Sequence, residues 1–288
     1  MKNLSVKQWS VVAILALLTA LEPLSIDLYL PGFFVMAEAF KTDVAQIQLS
    51  LSTFLGGFAV GQLIWGPIAD KFGRKKPILL SLVIFVAASI ACIYARTVEQ
   101  LWVFRFIQTV GGCGGIVISC AIVTDFFGQD QRLRIFSLLS IIMGVAPIVA
   151  PLIGNGVLHV YGSWQGLFGV LVLMGVVLFL LTAFFLPETR RKDLIVADVG
   201  GSVIKGYGEV IRIRQFLIYS LVAGFINGAL MIYASNGPFL IMEAAGFSDS
   251  QFSLIFGLNA FGLILGSYFA NILTKRYTPE KLCKKPFS

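Results

Sequence analysis

Eight long, nearly charge-free apolar blocks recur along this chain, and they constrain its fold more than any other feature. They occupy residues 9–31, 46–65, 77–95, 101–124, 136–157, 165–186, 216–240 and 251–273. A run of roughly 20 apolar residues is the length of helix that crosses a bilayer. In lipid each backbone N–H and C=O must find its partner inside the structure, which leaves helices and closed barrels. Barrel strands alternate polar and apolar residues over about ten positions. These blocks, rich in Phe, Gly, Leu and Ile, do not alternate, so the reading is an all-α membrane protein with eight spanning helices.

Composition agrees. Of 288 residues 57% are hydrophobic and 13% charged, against about 25% charged in soluble domains. The net charge of +7 raises the question of nucleic acid, and the placement of the cations answers it. Nineteen of the 22 basic residues fall before block one, between blocks two and three, four and five, and six and seven, or after block eight. Lys41 and Arg96 fall on the opposite side, and Arg105 lies inside block four. That asymmetry is the positive-inside pattern. It places both termini in the cytoplasm and leaves no need for a nucleic-acid partner. The four cysteines are too scattered for a disulfide framework or a metal site: Cys92, Cys113 and Cys120 are intramembrane and Cys283 is cytoplasmic. The lone His159 has no companion ligands and reads as a loop-boundary residue. The N-terminus runs straight into a full-length span, so it reads as an uncleaved first helix.

The expected outer loops are short, near 33–45, 95–100, 158–164 and 243–250. The longest polar stretch, about 187–215, reads as a cytoplasmic linker carrying an interfacial helix. This divides the chain into a six-helix bundle (1–187), a linker (188–215), two further helices (216–273) and a cytoplasmic tail (274–288). A shift of 201 residues lays Gly56 on Gly257, Gly61 on Gly262, Asp70 on Asn271, Arg74 on Lys275 and Lys75 on Arg276. Parallel six-helix repeats are a transporter architecture. If the echo marks a second repeat, only its first two helices are here, and the chain is expected to be C-terminally truncated.

Several motifs carry more specific information. After block two the chain reads Gly66-Pro-Ile-Ala-Asp70-Lys71-Phe-Gly73-Arg74-Lys75-Lys76, with glycines suited to a tight turn and one carboxylate among four cations. This segment resembles the G-x-x-x-D-[RK]-x-G-R-[RK]-[RK] signature of the major facilitator superfamily at every position. Arg105-Phe-Ile-Gln108-Thr-Val-Gly111 is similar to that superfamily's fourth-helix motif. Block five carries Gly144, Pro147, Pro151 and Gly154 in a pattern that resembles the antiporter motif of the drug:proton branch. Its double proline is the form seen in the Bcr/CflA-type (bicyclomycin resistance) subfamily, although Asn155 stands where a second glycine is usual. Ile26-Asp27-Leu-Tyr29-Leu-Pro31 and Leu186-Pro187-Glu188-Thr189 also resemble that subfamily. The likeness extends to about Leu282; the last residues, from Cys283, resemble nothing expected before a ninth helix.

The resemblance implies a major facilitator fold with eight of twelve helices present. It implies a cytoplasmic gate in which Asp70 sits near an eleventh helix and Arg74 pairs with an acid closing the fourth, a position that Asp125 fits. The glycines and prolines of block five also have a simpler reading, as sites of close packing and bending. The intramembrane charges Glu22, Asp27 and Arg105 are the coupling candidates, and Gln108 and Asn227 are candidate polar residues of a cavity. Asp27 and Arg105 should lie at similar depth, with Glu22 about 7.5 Å deeper and on a different helix face. An unpaired charge there costs at least about 2.5–3.5 kcal/mol, which an acid and a base facing one cavity can reduce. Either Arg105 or the backbone pins the acids, or one of them exchanges a proton with substrate. The function implied is proton-coupled efflux of small amphipathic drugs from a bacterial cell. The expected form is a monomer in the inner membrane, in contact with lipid, driven by the proton gradient without cofactor or metal. A metabolite exporter of the same superfamily and a non-transporting fragment are the alternatives. No phosphate-binding loop, metal cluster or nucleophile–base pair points to an enzyme.

Overall fold

The computed structural model describes residues 5–190 and 200–276. Expectations for 191–199 and 277–288, Cys283 among them, lie outside the described residues, as do the side chains at 271, 275 and 276 on which the internal echo partly rests. The first helix, α1 (Val6–Asp27), opens on a reciprocal cap. Ser5 Oγ accepts from the Gln8 N–H at 3.3 Å, and the Gln8 side chain accepts from the Ser5 N–H at 2.9 Å. An outer loop is expected near 33–45. Instead a 3-10 turn (Leu30–Gly32) leads into α2 (Phe33–Phe40). Pro31 interrupts the first helix, but Phe33, Met36 and Ala37 recur at helical spacing and are buried, so the chain resumes as helix. The outer loop shrinks to residues 41–43.

The remaining elements are α3 (Val44–Phe72), α4 (Lys75–Ile93), α5 (Val98–Phe126), α6 (Gln129–Tyr161) and α7 (Gln165–Phe185). They are followed by α8 (Gly200–Ile211) within the expected linker, α9 (Arg214–Pro238), a π-helical turn (Phe239–Ala244) and α10 (Asp249–Arg276). His159 falls in the last turn of α6. Among the described residues seven segments are long and apolar enough to cross a membrane, with α1 and α2 counted as one. The eighth block forms α10, 28 residues long. The motif after block two is not a loop. Helix α3 runs through Gly66, Pro67 and Asp70 to Phe72, and the reversal is confined to Gly73 and Arg74. Gly73 has φ +86°, a conformation that suits a residue without Cβ.

Helix α5 is the hub. It packs along α3 and α4, α4 packs on α7, and α1 lies against α5, α6 and α7. Lipid tails are as apolar as these helices, so the bundle is held by close packing rather than by exclusion of water. Gly111 shows how close. A Cβ there would lie 2.5 Å from the Phe85 nitrogen and 2.8 Å from the Ser81 carbonyl oxygen, so α4 and α5 touch backbone to backbone. Helix α10 joins the bundle through α6. Helix α9 is different: Phe216, Tyr219, Leu221, Val222, Phe225 and Ile226 are all exposed, on every side of the helix.

Candidate functional site

Two charged clusters stand out, one inside the bundle and one at the end of α3. Inside the bundle Arg105 is fully buried. Its guanidinium donates to Gln108 Oε1 at 2.6 Å and to the Ser25 carbonyl at 3.0 Å, which joins α5 to α1 at a level between Glu22 and Asp27. The Tyr29 ring lies 4.2 Å from the guanidinium carbon and the Phe54 ring 4.1 Å, with Phe168 at 5.7 Å. Each desolvated cation–π contact contributes about 2 kcal/mol, and each hydrogen bond from a charged donor about 1.5–3 kcal/mol. Together these exceed the roughly 3 kcal/mol insertion penalty of the cation. Arg105 is thus accommodated without an acid.

Of the arrangements left open by the sequence, a direct pairing of Arg105 with an acid is not the one found. Among the described residues the ion pairs are Arg74–Asp70, Arg74–Asp125 and Arg190–Asp70, so Arg105 meets neither Asp27 nor Glu22. Both acids are nonetheless buried, Asp27 at 5% exposure and Glu22 at 9%, at the end of α1 and five residues earlier. Gln108, the other polar candidate on α5, lies beside Arg105. It is fully buried, and its amide nitrogen donates to Ser89 Oγ at 2.6 Å, so it links α5 to α4. Asn227 stands apart on exposed α9, donating to the Ala223 carbonyl of its own helix at 2.9 Å.

At the end of α3 the structure brings Asp70, Gly73, Arg74 and Asp125 together. Arg74 Nη1 lies 2.9 Å from Asp70 Oδ1, and its Nε lies 2.7 Å from Asp125 Oδ2, on the last turn of α5. Gly66, earlier in the motif, has no neighbour within 4 Å of where a Cβ would sit. Sequence reasoning missed Glu188 and Arg190. The Glu188 carboxylate accepts the backbone N–H of Arg74 at 2.9 Å and of Lys75 at 3.1 Å, capping the start of α4 from the end of α7. A Cβ on Gly73 would lie 2.7 Å from it. Arg190 Nη1 reaches Asp70 Oδ1 at 2.5 Å. Partial burial pushes the Glu188 carboxyl up, but the N–H groups of Arg74, Arg190, Lys75 and Thr189 outweigh it and hold the group below the usual carboxylate range. Glu188 had been singled out only as part of a motif, and nothing local to residue 188 signals a partner at residue 74.

On α6 the prolines lie within the helix. Pro151 and Gly154 are buried and Gly144 and Pro147 half-buried. A Cβ on Gly154 would run into the Leu28 carbonyl oxygen beside Asp27, so α6 meets α1 at its break without intervening side chains. The opposite side of this stretch contacts α10: Ser253 Oγ donates to the Pro151 carbonyl at 3.4 Å, and Gly257 packs on Ile148.

The family model described as Major Facilitator Superfamily matches residues 15–284. The chain belongs to the major facilitator superfamily. Among curated superfamily relatives, an uncharacterized MFS-type transporter, YdgK of Bacillus subtilis, is 37% identical over 88% of this chain and 64% of its own length. A bicyclomycin resistance protein homolog of Haemophilus influenzae is 29% identical, covering 92% and 66%. The multidrug resistance protein MdtL of Klebsiella pneumoniae is 33% identical, covering 92% and 67%. The chain therefore spans about two thirds of the length of these relatives. Two solved structures share the superfamily fold. A bacterial homologue of the human lysosomal transporter Spinster matches with a TM-score of 0.73 at 18% identity, over 96% of this chain and 64% of that one. A D-xylose–proton symporter matches at 0.69 and 12%, over 93% and 69%.

Proposed function

We propose that this chain forms the larger part of a proton-coupled exporter of small, cationic, amphipathic drugs in a bacterial inner membrane, with both termini in the cytoplasm. It works as a monomer, without cofactor or metal, on the energy of the proton gradient. The observation that carries this reading is the state of the acids on α1. Asp27 and Glu22 are buried, and neither is bonded to the one cation at their level, because Arg105 is held by rings, Gln108 and the Ser25 carbonyl. A carboxylate left free in this way can hold a proton or a cationic substrate but not both. Mutual exclusion at one group is sufficient for antiport. The names of the relatives from Haemophilus and Klebsiella favour drugs as the substrate class. In the same reading Asp70, Arg74 and Asp125, joined by Glu188, form the cytoplasmic gate.

The test is efflux of a fluorescent cationic dye from energised cells. They carry this chain alone, or this chain extended by the remaining third of the Bacillus relative. The extended chain is expected to export dye, and an uncoupler should stop it. Asp27→Asn should reduce export to background at an unchanged level of protein in the membrane. Export by Asp27→Asn at the full rate would overturn the assignment of Asp27.

A further inference from the structure

The seam between α6 and α10 contains one polar contact that packing does not require. Asn155 Nδ2 lies 3.1 Å from Ser250 Oγ, joining the six-helix bundle to α10, the second of the two helices that follow it. Its Oδ1 is buried and accepts no hydrogen bond among the described residues. Asn155 follows Gly154, which rests on the Leu28 carbonyl next to Asp27. The turn of α6 carrying Gly154 and Asn155 thus touches the break in α1 with one residue and α10 with the next. One turn inward, Ser253 donates to the Pro151 carbonyl, and Phe252 and Phe256 are buried below it. Residues 148–155 lie toward the end of α6 remote from the Asp125–Arg74 cluster, at the start of α10. By the charge pattern this is the outer side. There the outer ends of α6 and α10 are clasped.

We propose that Asn155 is a positioning residue of an outer gate: through Ser250 it holds the α6–α10 mouth shut, and this tie breaks when the mouth opens outward. A half-satisfied amide suits such a role. The Asn155–Ser250 bond lies at the exposed rim of the seam, so opening gives up one neutral hydrogen bond and lets the buried Oδ1 reach water. The proposal rests on the exporter reading above, taken with a cavity that opens to one side of the membrane at a time, but its test needs neither substrate nor gradient, so the two can fail separately.

The test is the rate at which a membrane-impermeant maleimide, added to the outside of intact cells, labels the Ser253→Cys thiol in the full chain. Ser253 is buried in the seam, and labelling requires the mouth to open. Asn155→Ala and Ser250→Ala should each raise the rate by about two- to tenfold, the size of one neutral hydrogen bond. The double variant should show no further increase, because both single changes remove the same contact. Labelling of Val160→Cys, at the exposed outer end of α6, should stay constant. Unchanged labelling at Ser253→Cys, additive effects in the double variant, or an equal rise at Val160→Cys would each overturn the proposal.

Discussion

At the scale of single residues, the two clusters solve the same difficulty differently. Arg105 is buried and held by aromatic faces, whereas Arg74 lies at the edge of the bundle and is held by carboxylates. The Arg74 side chain is 7% exposed, Asp125 28% and Asp70 51%. A buried charge that loses its partner costs several kcal/mol, while an exposed ion pair contributes about 1 kcal/mol or less. Asp125→Ala is therefore expected to destabilise the chain by about 2–3 kcal/mol, because it takes the 2.7 Å partner from the buried Arg74, and Asp70→Asn by less than about 1 kcal/mol. Thermal unfolding in detergent measures both, and equal losses would contradict this division. The charges themselves were legible in the sequence, since an acid or a cation in an apolar block is conspicuous. Their surroundings were not. Phe54 and Phe168 come to Arg105 from α3 and α7, and no local pattern distinguishes them from the other phenylalanines among the 25. An acid is the partner for Arg105 that a sequence brings to mind, because charge is easily counted there, whereas the face of a ring is not.

At the scale of elements, the eight blocks became helices because lipid leaves an apolar run of that length no other backbone solution. Boundaries were less legible. Pro31-Gly32 reads as a stop, yet the buried face of Phe33, Met36 and Ala37 restarts the helix. Gly66-Pro67 reads as a turn, yet α3 continues to Phe72. Proline is tolerated in membrane helices where neighbours re-satisfy the backbone, so proline and glycine end these helices less reliably than in soluble proteins. Where glycine does decide, it is by distance. Gly111→Ala would drive a methyl into the backbone of α4, and overpacking of this kind costs about 1–3 kcal/mol. Gly66→Ala, with nothing nearby, should be neutral within about 0.5 kcal/mol. The melting temperatures of the two variants, compared with the parent chain, check the contrast.

At the scale of the whole molecule, Glu188 closes the six-helix bundle by tying the end of α7 to the start of α4. Because its folded carboxyl lies below the usual carboxylate range, its contribution is fully present above the ordinary glutamate value near 4.3. It is lost as the pH falls through the lower folded value. Glu188→Gln should therefore melt below the parent chain by a constant margin at neutral pH, and the margin should close below about pH 4.3. Melting curves between neutral pH and pH 3 measure it, and a margin that widens on acidification would contradict the assignment. The tie also sets an order of events during synthesis. The turn at Gly73 and Arg74 is complete only when a carboxylate 114 residues downstream has been made. At roughly 5–20 residues per second, the ribosome takes on the order of ten seconds to reach it. Through that interval the Arg74 and Lys75 amides lack this cap, and a residue just past the sixth span finishes the turn between the second and the third.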